Sequence, residues 1–130
     1  MNLKNYKKKL AGKKEILKKK DHPSLDIVNS SGFELTGKKI VLCVVGSVAA
    51  YKAIEVARLL MRHGADVTCV ASQAVTKLVQ PDYFKWATGN EVITKLTGEL
   101  EHIRLADYKQ SDLIVVYPAT ANTLGKLANG

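Results

Sequence analysis

Apolar runs alternate along the chain with segments in which apolar residues recur every three or four positions. A strand is predicted over 39–45, where the run is rich in β-branched residues and too short for a surface helix, as in a parallel sheet covered on both faces. Beyond Gly46 the period changes and predicts a helix over 49–63, whose small residues allow close packing on a sheet. Gly64 suits the left-handed cap after this helix, and His63 places a basic ring at its negative dipole end.

The remainder of the chain continues the alternation. Further strands are predicted over 66–71, 91–96 and 113–117, and helices over 73–79, 82–87, 99–108 and 124–129. We expect Phe84 and Trp86 to pack beneath the connection between the second and third strands. This order predicts an α/β fold of three layers, αβα and Rossmann-like, with about four parallel strands and helices on both faces.

The net charge of +8 belongs to the N-terminus. Residues 1–20 hold nine lysines and one acid, which account for all of it. We therefore expect a basic N-terminal arm over 1–36 and a domain over 37–130. Pro23 stops any helix in the arm, and residues 25–36 are expected to be an extended segment lying on the domain or on a neighbouring subunit. A basic tail on a charge-balanced domain argues against specific nucleic-acid binding.

The two cysteines predict a reducing environment. Cys43 and Cys69 fall within apolar strands and have no nearby Cys/His pair, so we expect buried free thiols, a cytoplasmic location and no metal site. No apolar run approaches the ~20 residues of a membrane span. The N-terminal lysines are not followed by the apolar core of a secretory signal.

Small uncharged polar residues follow three of the predicted strands. They are Gly46 and Ser47 after the first strand, Ser72 after the second, and Thr120, Asn122 and Thr123 after the fourth. The carboxyl ends of parallel strands share the edge at which ligands bind, and hydroxyl and backbone N–H groups there suit a phosphate or a polar heterocycle. The glycine pattern of a dinucleotide site is incomplete, which favours a mononucleotide. For the first turn the alternative is an ordinary strand-to-helix connection.

Three motifs in this order resemble the homo-oligomeric flavin-containing cysteine decarboxylases, and among these most closely the phosphopantothenoylcysteine decarboxylases of coenzyme A biosynthesis, including the decarboxylase half of the bifunctional enzyme. The motifs are Gly46-Ser47-Val48-Ala49-Ala50-Tyr51-Lys52, Glu101-His102-Ile103-x-Leu105-Ala106, and Asp112-Leu113-Ile114-Val115-Val116-x-Pro118-Ala119-Thr120-Ala121-Asn122-Thr123. The resemblance covers residues 37–130 and implies a flavoprotein that decarboxylates 4'-phospho-N-pantothenoylcysteine to 4'-phosphopantetheine.

The resemblance also implies FMN as cofactor, a set of site residues and a homo-oligomer built from trimers. By motif, His102 would be the active-site base, with the alternative that it packs against its own helix. The residues implied to hold the FMN phosphate and ribityl chain are Gly46, Ser47, Val48 and Ser72, and those implied to line the isoalloxazine and phosphate region are Thr120, Ala121, Asn122 and Thr123.

The chain departs from the family pattern after the last of these motifs. The Pro-x-Met-Asn segment that grips the substrate carboxylate and the flap cysteine that acts as acid do not occur in it. We therefore expect the FMN half of the site and not the whole substrate half. A non-catalytic flavin-binding or assembly module, and a protein like the flavin prenyltransferases, are the alternative interpretations.

Overall fold

The computed structural model describes residues 2–5, 22–94 and 111–130. The strands are β1 (Lys39–Val44), β2 (Asp66–Ala71) and β3 (Leu113–Val116), and the α-helices are α1 (Ala53–Arg62), α2 (Gln73–Thr76), α3 (Pro81–Thr88) and α4 (Ala121–Asn129). Two 3₁₀ helices span Pro23–Ile27 and Val48–Lys52. Most of the basic segment 1–21 and the helix predicted over 99–108 lie outside the described residues.

The three strands form one parallel sheet in the order β2-β1-β3. The strands predicted over 39–45, 66–71 and 113–117 are thereby confirmed. Of the strand predicted over 91–96, residues 95 and 96 lie outside the described residues, and residues 91–94 contain a single parallel bridge between Ile93 and Val70. Its two hydrogen bonds run from the Ile93 N–H to the Cys69 carbonyl at 3.0 Å and from the Ala71 N–H to the Ile93 carbonyl at 2.9 Å. This bridge extends the sheet beyond β2, so the predicted α/β architecture holds.

The core is formed where α1 and α3 pack against the sheet. Small residues on α1 let the helix approach the strands closely, as its period predicts. The core residues are Ile40, Leu42 and Val44 of β1, Ala53, Ala57 and Met61 of α1, Val67, Cys69 and Ala71 of β2, and Ala50, Ala65, Val75 and Phe84. Phe84 is fully buried, as expected, and burying such a side chain contributes about 1.5–3 kcal/mol. The expectation for Trp86 was wrong, because its side chain is 59% exposed and meets the His22 ring edge-on.

Residues 22–36, called the strap below, lie on the domain in a series of turns. The expectation of an extended segment was wrong: Pro23, with its fixed φ, begins a 3₁₀ helix, and Asn29 reverses the chain at a φ of 63°. The strap is held by backbone hydrogen bonds to the end of α1, including the Asn29 N–H to the Met61 carbonyl at 3.2 Å and the Leu35 N–H to the His63 carbonyl at 2.9 Å.

The last strand and helix keep much of their apolar surface in solvent. Leu113 and Ile114 of β3 are 52% and 47% exposed, and no residue of α4 is buried. Helix α4 begins three residues before its predicted start because Thr120 caps it. None of the helices in residues 2–5, 22–94 and 111–130 has the length and apolar content needed to cross a membrane.

Candidate functional site

The strand order brings the predicted site residues to one edge of the sheet. The chain leaves β1 toward β2 on one side and later returns to form β3 on the other, so the winding reverses at β1. Ligands in open parallel sheets bind outside the carboxyl ends of the strands at such a reversal. The registers Val44↔Ala71 and Cys43↔Val116 bring the carboxyl ends of all three strands level. The turns that begin at Gly46, Ser72 and Pro118 therefore leave the sheet at the same edge.

The turn after β1 is shaped by Gly46 and Ser47. Ser47 has extended backbone and its Oγ accepts a hydrogen bond from the Ala49 N–H at 3.2 Å, which caps the 3₁₀ helix Val48–Lys52 leading into α1. The φ of Gly46 lies outside the left-handed region, so its backbone conformation does not require glycine. A larger residue is disfavoured because its Cβ would meet the side chain of Ala74. Val48 is 87% exposed.

Ser72 follows β2 and has an unsatisfied hydroxyl. Its backbone N–H donates to the Val44 carbonyl at 3.0 Å, which ties the ends of β2 and β1 together. Its Oγ is buried and has no hydrogen-bond partner within the part of the chain that the structure describes. A buried hydroxyl left without a partner costs about 1–3 kcal/mol, so this atom is suited to a bound polar group.

The turn after β3 carries the third set of predicted residues. Thr120 is the N-cap of α4: its Oγ1 accepts a hydrogen bond from the Thr123 N–H at 3.2 Å and lies 3.0 Å from the Thr123 Oγ1. Ala121 and Asn122, in the first turn of α4, are exposed, and Thr123 is half-buried. This turn therefore offers hydroxyl and amide groups near the reversal of the sheet.

His102 lies outside the described residues, so the predicted active-site base has no structural account here. The two thiols lie within β1 and β2. Cys69 is the register partner of Leu42, which places it and Cys43 on opposite faces of the sheet. Both are free, as predicted, but only Cys69 is buried, because the side of the sheet that carries Cys43 is partly exposed. Burial, with a smaller contribution from Cys43, raises the pKa of Cys69 to about 12. No group of three or more potential metal ligands occurs in residues 2–5, 22–94 and 111–130.

A cavity of about 630 Å³ lies at the opposite edge of the sheet, where β2 begins. It is lined by the strap and by the chain around the ends of α1 and α3: Leu25, Asp26, Val28, Asn29, Met61, Gly64, Ala65, Asp66, Val67, Thr88, Gly89 and Asn90. Sequence reasoning missed it because it arises from the packing of the strap, for which no local motif exists. None of the predicted cofactor residues lines it.

Two curated relatives match this chain over about a hundred residues each. The chain is 48% identical over 99 residues to the coenzyme A biosynthesis bifunctional protein CoaBC of Thermococcus kodakarensis, covering 75% of this chain and 25% of that protein. It is 38% identical over 98 residues to a probable phosphopantothenoylcysteine decarboxylase of Streptococcus mutans, covering 72% and 54% of the two chains. The chain thus spans between a quarter and about half of these relatives.

Solved structures of FMN-dependent cysteine decarboxylases are also similar to this chain. The FMN-dependent cysteine decarboxylase TvaF from thioviridamide biosynthesis superposes with a TM-score of 0.64 at 29% identity, covering 72% of this chain and 60% of that one. The FMN-dependent cysteine decarboxylase SpaF gives a TM-score of 0.63 at 26% identity, covering 74% and 57%. The parallel sheet is therefore that of a Rossmann-like αβα flavoprotein fold. Residues 28–130 match the family described as Flavoprotein, and the chain belongs to that family.

Proposed function

We propose that this chain binds FMN at the carboxyl edge of its sheet and forms the FMN-binding part of a phosphopantothenoylcysteine decarboxylase. The buried hydroxyl of Ser72, for which residues 2–5, 22–94 and 111–130 supply no hydrogen-bond partner, is the observation that carries the proposal. It lies at the carboxyl edge of the sheet beside the end of β1, the strand at which the winding reverses, on a chain of the Flavoprotein family that resembles decarboxylases.

The residues at this edge fit the polar parts of FMN. The Ser72 hydroxyl can donate to a phosphate or ribityl oxygen, and the charge-assisted bond to a phosphate is the stronger of the two. Gly46 adds no side chain between the turns, and Ser47 adds a hydroxyl beside the start of its helix. We assign Val48, exposed beside this turn, to the same phosphate and ribityl contact.

The turn after β3 is assigned to the ring and phosphate region of FMN. Thr120 and Thr123 hold each other in place through the helix cap, which orients their hydroxyl groups. Ala121 and Asn122 lie exposed in the same turn, where they are accessible to a ligand. Bound FMN would supply a hydride acceptor for oxidising the thiol-bearing carbon of the substrate, which prepares it for loss of carbon dioxide.

His102 is proposed as the base near the substrate thiol, because imidazole titrates in the range that this proton transfer needs. This assignment rests on the Glu101-His102-Ile103 motif alone. The substrate is proposed to be 4'-phospho-N-pantothenoylcysteine, in keeping with the name of the Streptococcus mutans relative. We propose a cytoplasmic location, which is in keeping with that role and with the free thiols of Cys43 and Cys69.

We also propose that the chain works as a homo-oligomer, with the trimer as its unit. The support is the apolar surface of β3 and α4, where Leu113, Ile114, Leu124 and Leu127 are about half or more exposed. Covering such an apolar surface with a partner subunit removes it from water, which is energetically favourable.

A second candidate is an FMN-binding module without turnover. The observation that favours it is that all the residues assigned to FMN lie in the described part of the chain, whereas turnover depends on His102, which is assigned from its motif alone. It shares the FMN site with the first proposal and differs from it only in the chemistry.

Two measurements separate these outcomes. The first is a titration of the purified chain with FMN followed by quenching of flavin fluorescence. The second is release of carbon dioxide from 4'-phospho-N-pantothenoylcysteine, measured on the chain extended through the Pro-x-Met-Asn segment and the flap cysteine, with His102 and with His102→Asn. Binding with carbon dioxide release that His102→Asn abolishes supports the decarboxylase, and binding without release supports the module. Absence of FMN binding would overturn both.

A further inference from the structure

Gly46 and Ala74 meet between the two turns that carry Ser47 and Ser72. A Cβ placed on Gly46 would lie 2.5 Å from the Cβ of Ala74, far inside van der Waals contact. The next nearest atoms, the Cα and carbonyl carbon of Ala74, would be 3.7 and 3.8 Å away, which is ordinary contact. One methyl group on Ala74 therefore accounts for the lack of room at Gly46.

The two turns have little freedom to separate. The Ser72 N–H is bonded to the Val44 carbonyl, which fixes the start of one turn against the end of β1. Val75, next to Ala74, is fully buried in the core and anchors the short helix α2. Ala74 itself is exposed, so burial does not explain why its methyl group lies against Gly46.

We propose that Ala74 is a positioning residue for FMN. Its methyl group, resting on Gly46, sets the spacing of the Ser47 and Ser72 turns so that both hydroxyl groups reach the same ligand. The proposal rests on FMN binding at this edge, as proposed above. A residue without any polar group can act at a polar site in this way, because a binding constellation that is about 1 Å too loose loses much of its affinity.

The experiment is a cycle of substitutions across the contact. Gly46→Ala introduces the clash, Ala74→Gly removes the methyl group, and the double variant Gly46→Ala/Ala74→Gly has a methyl group on the other side of the same gap. Ala128→Gly is the matched control, because Ala128 is an exposed helical alanine at the far end of α4. The FMN dissociation constant is measured for each by fluorescence quenching, together with the thermal unfolding midpoint without FMN.

The expected result is that Gly46→Ala weakens FMN binding by on the order of tenfold or more and that the double variant recovers most of this loss. Ala74→Gly should weaken binding by about threefold or more, because the spacing loosens, whereas Ala128→Gly leaves the affinity unchanged. A double variant that binds FMN as poorly as Gly46→Ala would overturn the proposal, since the space above Gly46 would then be needed by the ligand itself. Should Gly46→Ala fail to fold, the double variant decides alone: near-native affinity supports the proposal and loss of binding overturns it.

The unfolding midpoints separate this proposal from the function proposed above. If the native chain binds no FMN, the proposed function fails and the positioning role fails with it, yet recovery of the midpoint in the double variant would still establish the contact. If the native chain binds FMN and both single variants bind it equally well, only the positioning role fails.

Discussion

The backbone N–H of Ser72 donates a hydrogen bond of 3.0 Å to the carbonyl of Val44, so the ends of β2 and β1 are tied at the site. The hydroxyl of the same serine is buried and has no partner among the described residues. Ser72 thus links the ends of two strands through its backbone and presents an unsatisfied hydroxyl group at the edge where ligands of parallel sheets bind.

Removing the Ser72 hydroxyl should weaken FMN binding without lowering the stability of the fold. Without FMN, Ser72→Ala is expected to unfold at the same temperature as the native chain or a higher one, because a buried polar atom without a partner is lost. FMN affinity should fall about tenfold, as for the loss of a hydrogen bond to a charged group. Calorimetry and FMN titration check the two effects.

Ser24 provides the matched control. Ser24 is a buried serine whose hydroxyl donates to the carbonyl of Trp86 and so joins the strap to α3. Ser24→Ala should cost about 1–3 kcal/mol of stability and leave FMN affinity unchanged. If the two alanine variants instead behave alike in both measurements, the assignment of Ser72 to the site is wrong.

The contribution of the Glu34–His63 contact to the stability of the fold should be lost at low pH. His63 Nδ1 lies 2.8 Å from Glu34 Oε2, and the hydrogen bond to His63 is the largest influence lowering the pKa of Glu34 below its ordinary value of 4.5. A carboxyl group with a lowered folded-state pKa stabilises the fold above its unfolded-state pKa and loses that contribution as pH falls through the folded value. Glu34→Gln should therefore lower the unfolding midpoint at about pH 5.5 and differ little from the native chain near about pH 3.

Glu55→Gln is the control for this effect, since Glu55 is an exposed carboxylate on α1 with no ion pair found among the described residues. If the unfolding midpoint depends on pH equally in both variants, the Glu34–His63 contact is not the cause of the pH dependence.

The two cysteines should differ in reactivity toward thiol reagents. The thiolate is the reactive form, and burial raises the pKa of both, that of Cys69 to about 12. Cys43 is only partly buried, so it should react first, and Cys43→Ser should abolish the early phase in a labelling time course at about pH 8. Early labelling of Cys69 in the folded protein would show that β2 opens more readily than this structure implies.

Thr120 should stabilise α4 by capping its N-terminus. Its Oγ1 accepts the Thr123 N–H, and replacing such a cap by alanine costs about 1 kcal/mol. Thr120→Ala should reduce helical content and FMN affinity together, whereas Thr120→Ser, which keeps the hydroxyl, should retain both. Equal loss in the two variants would indicate that the methyl group, and not the cap, is what α4 requires.

The sequence pattern predicted β1 and β2 well, because strand periodicity is a local property. The same reasoning misplaced Trp86, since the face of a short helix that meets the core depends on what packs beside it. It also missed the turns of the strap, which form only when their N–H groups find the carbonyls at the end of α1.

The site was predictable to the level of the strand ends and no further. That Ser47, Ser72 and Thr120 share an edge follows from parallel strands. The contact between Gly46 and Ala74 depends on the distance between two turns that are far apart in the chain, and no motif encodes it.

The central claim is that FMN binds at the carboxyl edge of the sheet and not in the cavity at the opposite edge. The most direct measurement is the change in backbone amide NMR signals of the isotope-labelled chain as FMN is added. We predict that the signals of Gly46, Ser47, Ser72 and Thr123 shift with a common saturation curve, whereas those of Asn29 and Asn90, which line the cavity, stay unchanged. Shifts confined to Asn29, Asn90 and their neighbours, or no shifts at all, would contradict the account.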